Sequence, residues 1–142
     1  MRKSVGLIAT SLLAVPLVWA SPSLAATSEA SMATTTRCNS SSPDVYGVTL
    51  ITCVEQRTGE YRIHTSAYHT GQQSGTVHVY AGQYANNSAN KVCPEAYLAP
   101  YDSYDCWGSW KSSAGVTFVN SRLNAIVGST WKSTYDEAVF LN

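Results

Sequence analysis

Four cysteines, Cys38, Cys53, Cys93 and Cys106, stand behind an apolar N-terminal run, and these two features together restrict the chain more than anything else in it. The run has Arg2 and Lys3 in front, Val5 to Trp19 as its apolar body, and the small residues Ser21 to Ala26 behind. That is the build of a secretory signal peptide. It is too short for a membrane span, which needs about 20 apolar residues. Ser23 and Ala25 place the cut after Ala25, with Ala20 or Ala26 as alternatives. No cysteine follows the run directly, which argues against a lipid anchor. An exported chain folds where thiols oxidise, so an even cysteine count in a small domain reads as disulfides.

Three pairings of four cysteines exist. The local one, Cys38 with Cys53 and Cys93 with Cys106, is preferred because each pair brackets a turn-rich segment of hairpin length. Each bridge would restrict the unfolded chain by about 3 kcal/mol in the loop-entropy account. A zinc site is the rival, but the cysteines lack a C-x-x-C spacing. Nothing in the sequence asks for a metal or another cofactor.

Removing residues 1–25 leaves roughly 117 residues, enough for one domain with a modest core. It also removes two of the nine basic residues, leaving seven against nine acidic ones. A slightly acidic chain has no electrostatic claim on nucleic acid or on an anionic membrane. Residues 26–36 are small and polar and read as a flexible leader, so order is expected from about Arg37 and a single domain spans 37–142.

Within that domain the apolar period is two. Tyr46, Val48, Leu50, Thr52 and Val54 alternate with Gly47, Thr49, Ile51 and Cys53; Tyr61, Ile63, Thr65 and Ala67 alternate with Arg62, His64, Ser66 and Tyr68, and Val77, Val79 and Ala81 again share one face. The last two runs, joined by Thr70 to Gly75, are expected to pair as a hairpin. Tyr84 to Lys91 reads as a polar surface loop, and Pro94 to Leu98 as room for one helical turn. Val116 to Leu123 has a mixed phase and reads as a bulged or edge strand, and Glu137 to Leu141 as the last strand. The fold class is all-β, a small antiparallel β-sandwich or partly open barrel with two disulfides.

The stretch C-P-E-A-Y-L-A-P-Y-D-S-Y-D-C-W-G-S-W, Cys93 to Trp110, concentrates aromatic rings. Tyr97, Tyr101, Tyr104, Trp107 and Trp110, with Asp102, offer flat apolar faces with a polar rim, suited to stacking on sugars or anchoring a protein. Alternation in C-W-G-S-W puts one tryptophan in the core beside the disulfide. A second candidate face is Arg62, His64, Tyr68, His78 and Tyr80 on the expected hairpin. In its tightest register His64 and His78 lie four residues apart, about 13 Å, too far to share an ion. Asp102 and Asp105 are close in sequence, but loop acids of this kind form turns more often than glycosidase pairs or calcium sites. No G-x-S-x-G marks a nucleophile.

The strand Y-G-V-T-L-I-T-C, the late C-P-x-x-Y and C-W-G-S-W together resemble small exported two-disulfide proteins of actinobacterial type. That resemblance covers most of the mature chain, implies secretion and an all-β domain, and carries over no catalytic residue. The sequence is therefore read as a secreted, non-enzymatic module that presents its disulfide-closed Tyr/Trp loop to an extracellular glycan or protein. Two alternatives stand beside this reading, a secreted protease inhibitor acting through residues 94–105 and a small extracellular hydrolase.

Overall fold

The computed structural model describes residues 33–39 and 43–142. The expected signal segment 1–25, and the leader as far as residue 32, lie outside them. The chain forms two antiparallel sheets that do not close into a barrel, and no helix occurs among the described residues. Both expected disulfides are present, Cys38–Cys53 and Cys93–Cys106.

Each sheet has four strand positions, and each of its edges is broken in two. In the first sheet β3 (Val48–Arg57) and β4 (Glu60–His69) pair along their whole length. The free edge of β3 is covered by β1 (Thr35–Cys38) and then β2 (Asp44–Val45). The free edge of β4 is covered by β8 (Ser103–Trp107) and then β9 (Lys111–Ser112). In the second sheet β5 (Val77–Ala85) pairs with β10 (Phe118–Val127) at the centre. Flanking β5 are β6 (Ser88–Val92) and β7 (Ala96–Leu98), and flanking β10 are β11 (Thr130–Tyr135) and β12 (Val139–Phe140). Short, interrupted edges are one means by which sheet proteins avoid pairing with other chains.

Several local expectations change. Thr35 and Thr36, within the expected leader, are paired with β3. Residues 84–91 form a hairpin through Asn86 and Asn87, whose φ of 47° and 63° give the left-handed pair that a two-residue turn requires. Residues 96–98 are strand, not helix. The strand after Val116 is central rather than at an edge, with Val119, Ser121, Leu123 and Ala125 facing inward. Its mixed phase comes from Ser121, a polar residue at a core position. A further strand, β11, was unexpected, because exposed Trp131 and Tyr135 obscure its period.

The expected 61–82 hairpin does not form. β4 and β5 belong to different sheets and pack face to face, and the segment between them crosses the sandwich. Fully buried His69 holds that crossing: its Nδ1 accepts from the Gly71 N–H at 3.0 Å and its Nε2 donates to the Gly75 carbonyl at 3.2 Å. Both strands already have a neighbour on each side, so neither has an edge left for the other.

The core is two apolar clusters separated by a polar row. Val48, Leu50, Ala67, Val77, Val79, Leu98, Leu123 and Ala125 pack at one end, and Val54, Tyr61, Ile63, Val119 and Val139 at the other. Burial of each larger side chain contributes about 1.5–3 kcal/mol. Between the clusters, Thr52, Thr65 and Cys106 lie in register across the first sheet, facing Gln83 and Ser121 in register across the second. Gln83 Nε2 donates to Thr65 Oγ1 at 3.1 Å and to the Cys106 carbonyl at 2.9 Å, and the Thr65 and Ser121 hydroxyls share a 2.7 Å bond. At one open side of the sandwich Cys93, in the break between β6 and β7, is bonded to Cys106. At the other, Asp136 fills the break between β11 and β12, accepting the Thr52 N–H at 2.6 Å and the Asn39 amide.

Burial raises the Asp136 carboxyl above its ordinary value, and the bonds from Thr52 and Glu137 offset this only in part. The folded chain thus holds this proton more tightly than the unfolded one. The stability Asp136 contributes through its ionisation is complete below the unfolded value of about 4 and is lost as pH rises through the folded value. The melting temperature of the wild type is expected to fall relative to that of Asp136→Asn as pH climbs from about 4 toward neutrality. Parallel curves would contradict this assignment. Asp136→Ala, which strips the buried Thr52 N–H of its acceptor, is expected to cost about 1–3 kcal/mol in denaturant unfolding at any pH.

Candidate functional site

Strand alternation sends even-numbered residues of β4, β5 and β10 to the outside, so each sheet presents one solvent face. The two faces divide the candidate residues between them. Arg62, His64, Tyr68, Trp107 and Trp110 belong to the first sheet, whereas His78, Tyr80 and Tyr97 belong to the second. His64 and His78 therefore lie on opposite sides of the molecule, and the single His/Tyr face expected from the hairpin does not exist.

On the first sheet the rings are stacked on one another. Trp107 lies against His64, with centroids 3.8 Å apart and planes 6° from parallel. The Arg62 guanidinium is 4.7 Å from the Trp107 ring and 4.8 Å from that of Trp110, and Arg57 is 4.2 Å from Trp110. Each arginine is also tied to an acid, Arg57 to Glu60 and Arg62 to Glu55 at 2.6 Å, and His64 is hydrogen-bonded to Asp105 at 2.7 Å. Trp107 is 42% exposed and Trp110 half-buried under the arginines, so the core tryptophan expected beside the disulfide is absent. Its place is taken by the polar row around Gln83. The ladder's ring faces are largely occupied by its own members.

The Cys93 loop also separates into parts. Residues 96–98 pair with β5 and 103–107 with β4, leaving Ala99 to Asp102 as a tight turn. Asp102 closes it, accepting the Ala99 N–H on Oδ2 and donating its own N–H to the Ala99 carbonyl, both at 3.0 Å. Tyr101 adopts φ 73° and is exposed, but its ring rests on Gly71, where an added Cβ would stand 2.6 Å from the ring. Its side chain fastens the turn to the sheet-crossing segment. Tyr104 turns inward, its hydroxyl donating to the Pro94 carbonyl at 2.5 Å, and burial pushes its phenol above the ordinary value. Of the tyrosines in this loop, Tyr97 is the one that joins a broader surface.

That surface is the outer face of the second sheet. Along β5 stand His78, Tyr80, Gly82 and Tyr84, and alongside on β10 Ile126, Asn124, Arg122 and Asn120. From β11 come Trp131, Ser133 and Tyr135, opposite Ile126, Asn124 and Arg122. Tyr97 stacks on His78 at 4.3 Å and 10°, and His78 bonds Glu95 at 3.0 Å. The tip of the Tyr84 ring crosses above Gly82, where a Cβ would meet its hydroxyl and ring carbons at 3.0–3.2 Å. Glycine thus lets this tyrosine lie low across the sheet.

A cleft of about 210 Å³ opens between Tyr84, Asn87, Asn120, Arg122 and Tyr135. The Arg122 guanidinium stacks on Tyr135 at 5.0 Å and donates through Nη2 to Ser133 Oγ at 3.1 Å, which in turn donates to Asn124 Oδ1 at 2.7 Å. Two buried polar atoms here, Asn120 Oδ1 and Arg122 Nε, have no hydrogen-bond partner among the described residues. Rings beside polar side chains held in place are the chemistry that recognises a hydroxylated ligand with apolar faces. A larger depression of about 450 Å³ at Arg37 to Asn39 and Glu137 to Phe140 offers a single ring, Phe140, packed against Phe118.

Sequence reasoning missed Tyr84, Asn120, Arg122, Trp131 and Tyr135, because it took residues 84–91 as loop and did not find β11. The signal for Tyr84 was G-Q-Y at residues 82–84, a glycine two places before an aromatic residue in a strand. Fold and face together define a disulfide-linked antiparallel sandwich with one aromatic and hydrogen-bonding sheet surface. The chain matches no protein-family model, and no curated protein or solved structure is significantly similar to it.

Gly82→Ala is expected to leave stability within about 1.5 kcal/mol of wild type while lifting the Tyr84 ring. Nuclear magnetic resonance should show displaced Tyr84 ring signals and an unmoved Trp107 indole. Unmoved Tyr84 signals would refute the close contact.

Proposed function

We propose that the mature protein is an exported, non-catalytic module that binds an extracellular glycan through the outer face of its second sheet. A small all-β fold with two disulfides suits an extracellular module, and disulfides persist in oxidising surroundings. No helix among the described residues is long and apolar enough to cross a membrane. The observation that carries the reading is the cleft in which Tyr84 and Tyr135 flank Asn120 and Arg122. A sugar ring has C–H faces for the tyrosines and hydroxyls for the amide and guanidinium.

The alternatives have less behind them. A protease inhibitor of the expected kind needs an extended, unpaired loop, whereas residues 96–98 and 103–107 are committed to strand pairing. A serine hydrolase needs a hydroxyl on its histidine. Both exposed imidazoles are bonded to acids, and no serine or threonine is bonded to either among the described residues.

The test is retention of the mature protein on insoluble polysaccharides. Wild type is expected to bind one of cellulose, xylan, chitin or mannan, and Tyr84→Ala or Arg122→Met to weaken retention at least about tenfold. Trp107→Ala, on the opposite face, should bind as wild type does. Loss with Trp107→Ala and retention with Tyr84→Ala would move the site to the first sheet, and wild type that binds none of these polysaccharides would remove the glycan reading.

A further inference from the structure

Resting on that reading, we infer that the ligand is an extended, neutral, β-linked glycan chain laid along β5, rather than a single sugar or a chain end. The first ground is length. From His78 to Tyr84 the outward positions of β5 span about 20 Å at strand rise. Aromatic rings occupy that distance without a large gap: Tyr97 stacked on His78, then Tyr80, then Tyr84 crossing above Gly82. The 210 Å³ cleft lies at one end of this line. A second depression, of about 350 Å³, lies over Tyr80 where the edge is broken between Val92 and Glu95. A ligand confined to the first cleft would leave this second apolar hollow and the exposed Tyr97 ring unused.

The second ground is the division of chemistry across the face. The β5 line is aromatic, while the adjacent β10 line offers Asn120, Arg122 and Asn124. A sugar chain has the same division, with C–H faces on the ring planes and hydroxyls at their edges. A flat β-linked ribbon can keep its faces on one line and its hydroxyls on the other for several units. A helically coiled α-linked chain turns away from a flat sheet after one or two.

The third ground is charge. The charged groups on this face are Arg122 at one end and Glu95, bonded to His78, at the other. A polyanionic chain long enough to span the face would meet Glu95, and a polycation would meet Arg122. Neither repeats along a sign that the face favours, so a neutral chain fits best.

Calorimetric titration of the mature protein with cello-, xylo- and chito-oligosaccharides tests this. For at least one series the hexasaccharide is expected to bind at least about tenfold more tightly than the disaccharide. Tyr80→Ala and Tyr97→Ala should weaken the hexasaccharide but not the disaccharide, and Tyr84→Ala should weaken both. Equal affinity for short and long members, or a hexasaccharide indifferent to Tyr97→Ala, would overturn the extended chain while leaving the cleft as a glycan site. Tighter binding of oligogalacturonate than of every neutral series would overturn neutrality. If none of these oligosaccharides binds and insoluble polysaccharides do not retain the protein, the glycan reading itself fails.

Discussion

The structure depends on the row of polar and sulfur-bearing residues that runs through the middle of its core. Cys106, Thr65 and Thr52 occupy one register level of the first sheet, and Gln83, Ser121 and Asp136 the matching level of the second. The Cys93–Cys106 bond closes one side of the sandwich and Asp136 the other, while Gln83 and the Thr65–Ser121 pair join the sheets between them. Two of the edge breaks supply these closures, Cys93 between β6 and β7 and Asp136 between β11 and β12. Apolar contacts alone would tolerate sliding one sheet over the other. A shift of two residues here would leave Gln83, Thr65, Ser121 and Asp136 buried without partners, at about 1–3 kcal/mol each. The row therefore fixes how the sheets are placed, and the apolar clusters at either end supply most of the stabilisation.

With the interior holding the sheets together, the outer faces are free to differ. The first face spends its rings on itself: His64, Trp107, Arg62, Trp110 and Arg57 form a ladder whose cations are also paired with acids. Such a stack sets the rings against one another while Trp107 stays 42% exposed. The second face carries more rings, His78, Tyr80, Tyr84, Tyr97, Trp131 and Tyr135, and Gly82 leaves room for Tyr84 to lie low across it.

Much of the architecture was legible because period two and cysteine spacing are local signals. The β3 and β4 strands, both disulfides and the all-β class follow from residues close in the chain. What was not legible depends on partners far apart. Thr70 to Gly75 has the composition of a hairpin turn, and only the prior occupancy of both flanks of β4 and β5 sends it across the sandwich. Ser121 disguised a central strand, since its bond to Thr65 is 56 residues away. For the site, aromatic density pointed to residues 93–110, where Tyr101 rests on Gly71 yet stays exposed, Tyr104 bonds Pro94, and both tryptophans stack with arginine or histidine. Tyr97 survives as part of a face whose other members are scattered from Tyr80 to Tyr135.

The two outer faces differ in what their rings touch, and amide chemical-shift mapping reads both at once. An ¹⁵N-labelled mature protein titrated with cellohexaose, xylohexaose and chitohexaose should, for the chain it binds, show perturbed amides confined to β5, β10, β11 and Tyr97. The amides of β3, β4 and β8 should stay in place. Perturbations centred on His64, Trp107 and Trp110 instead would contradict the account and make the ladder the binding surface.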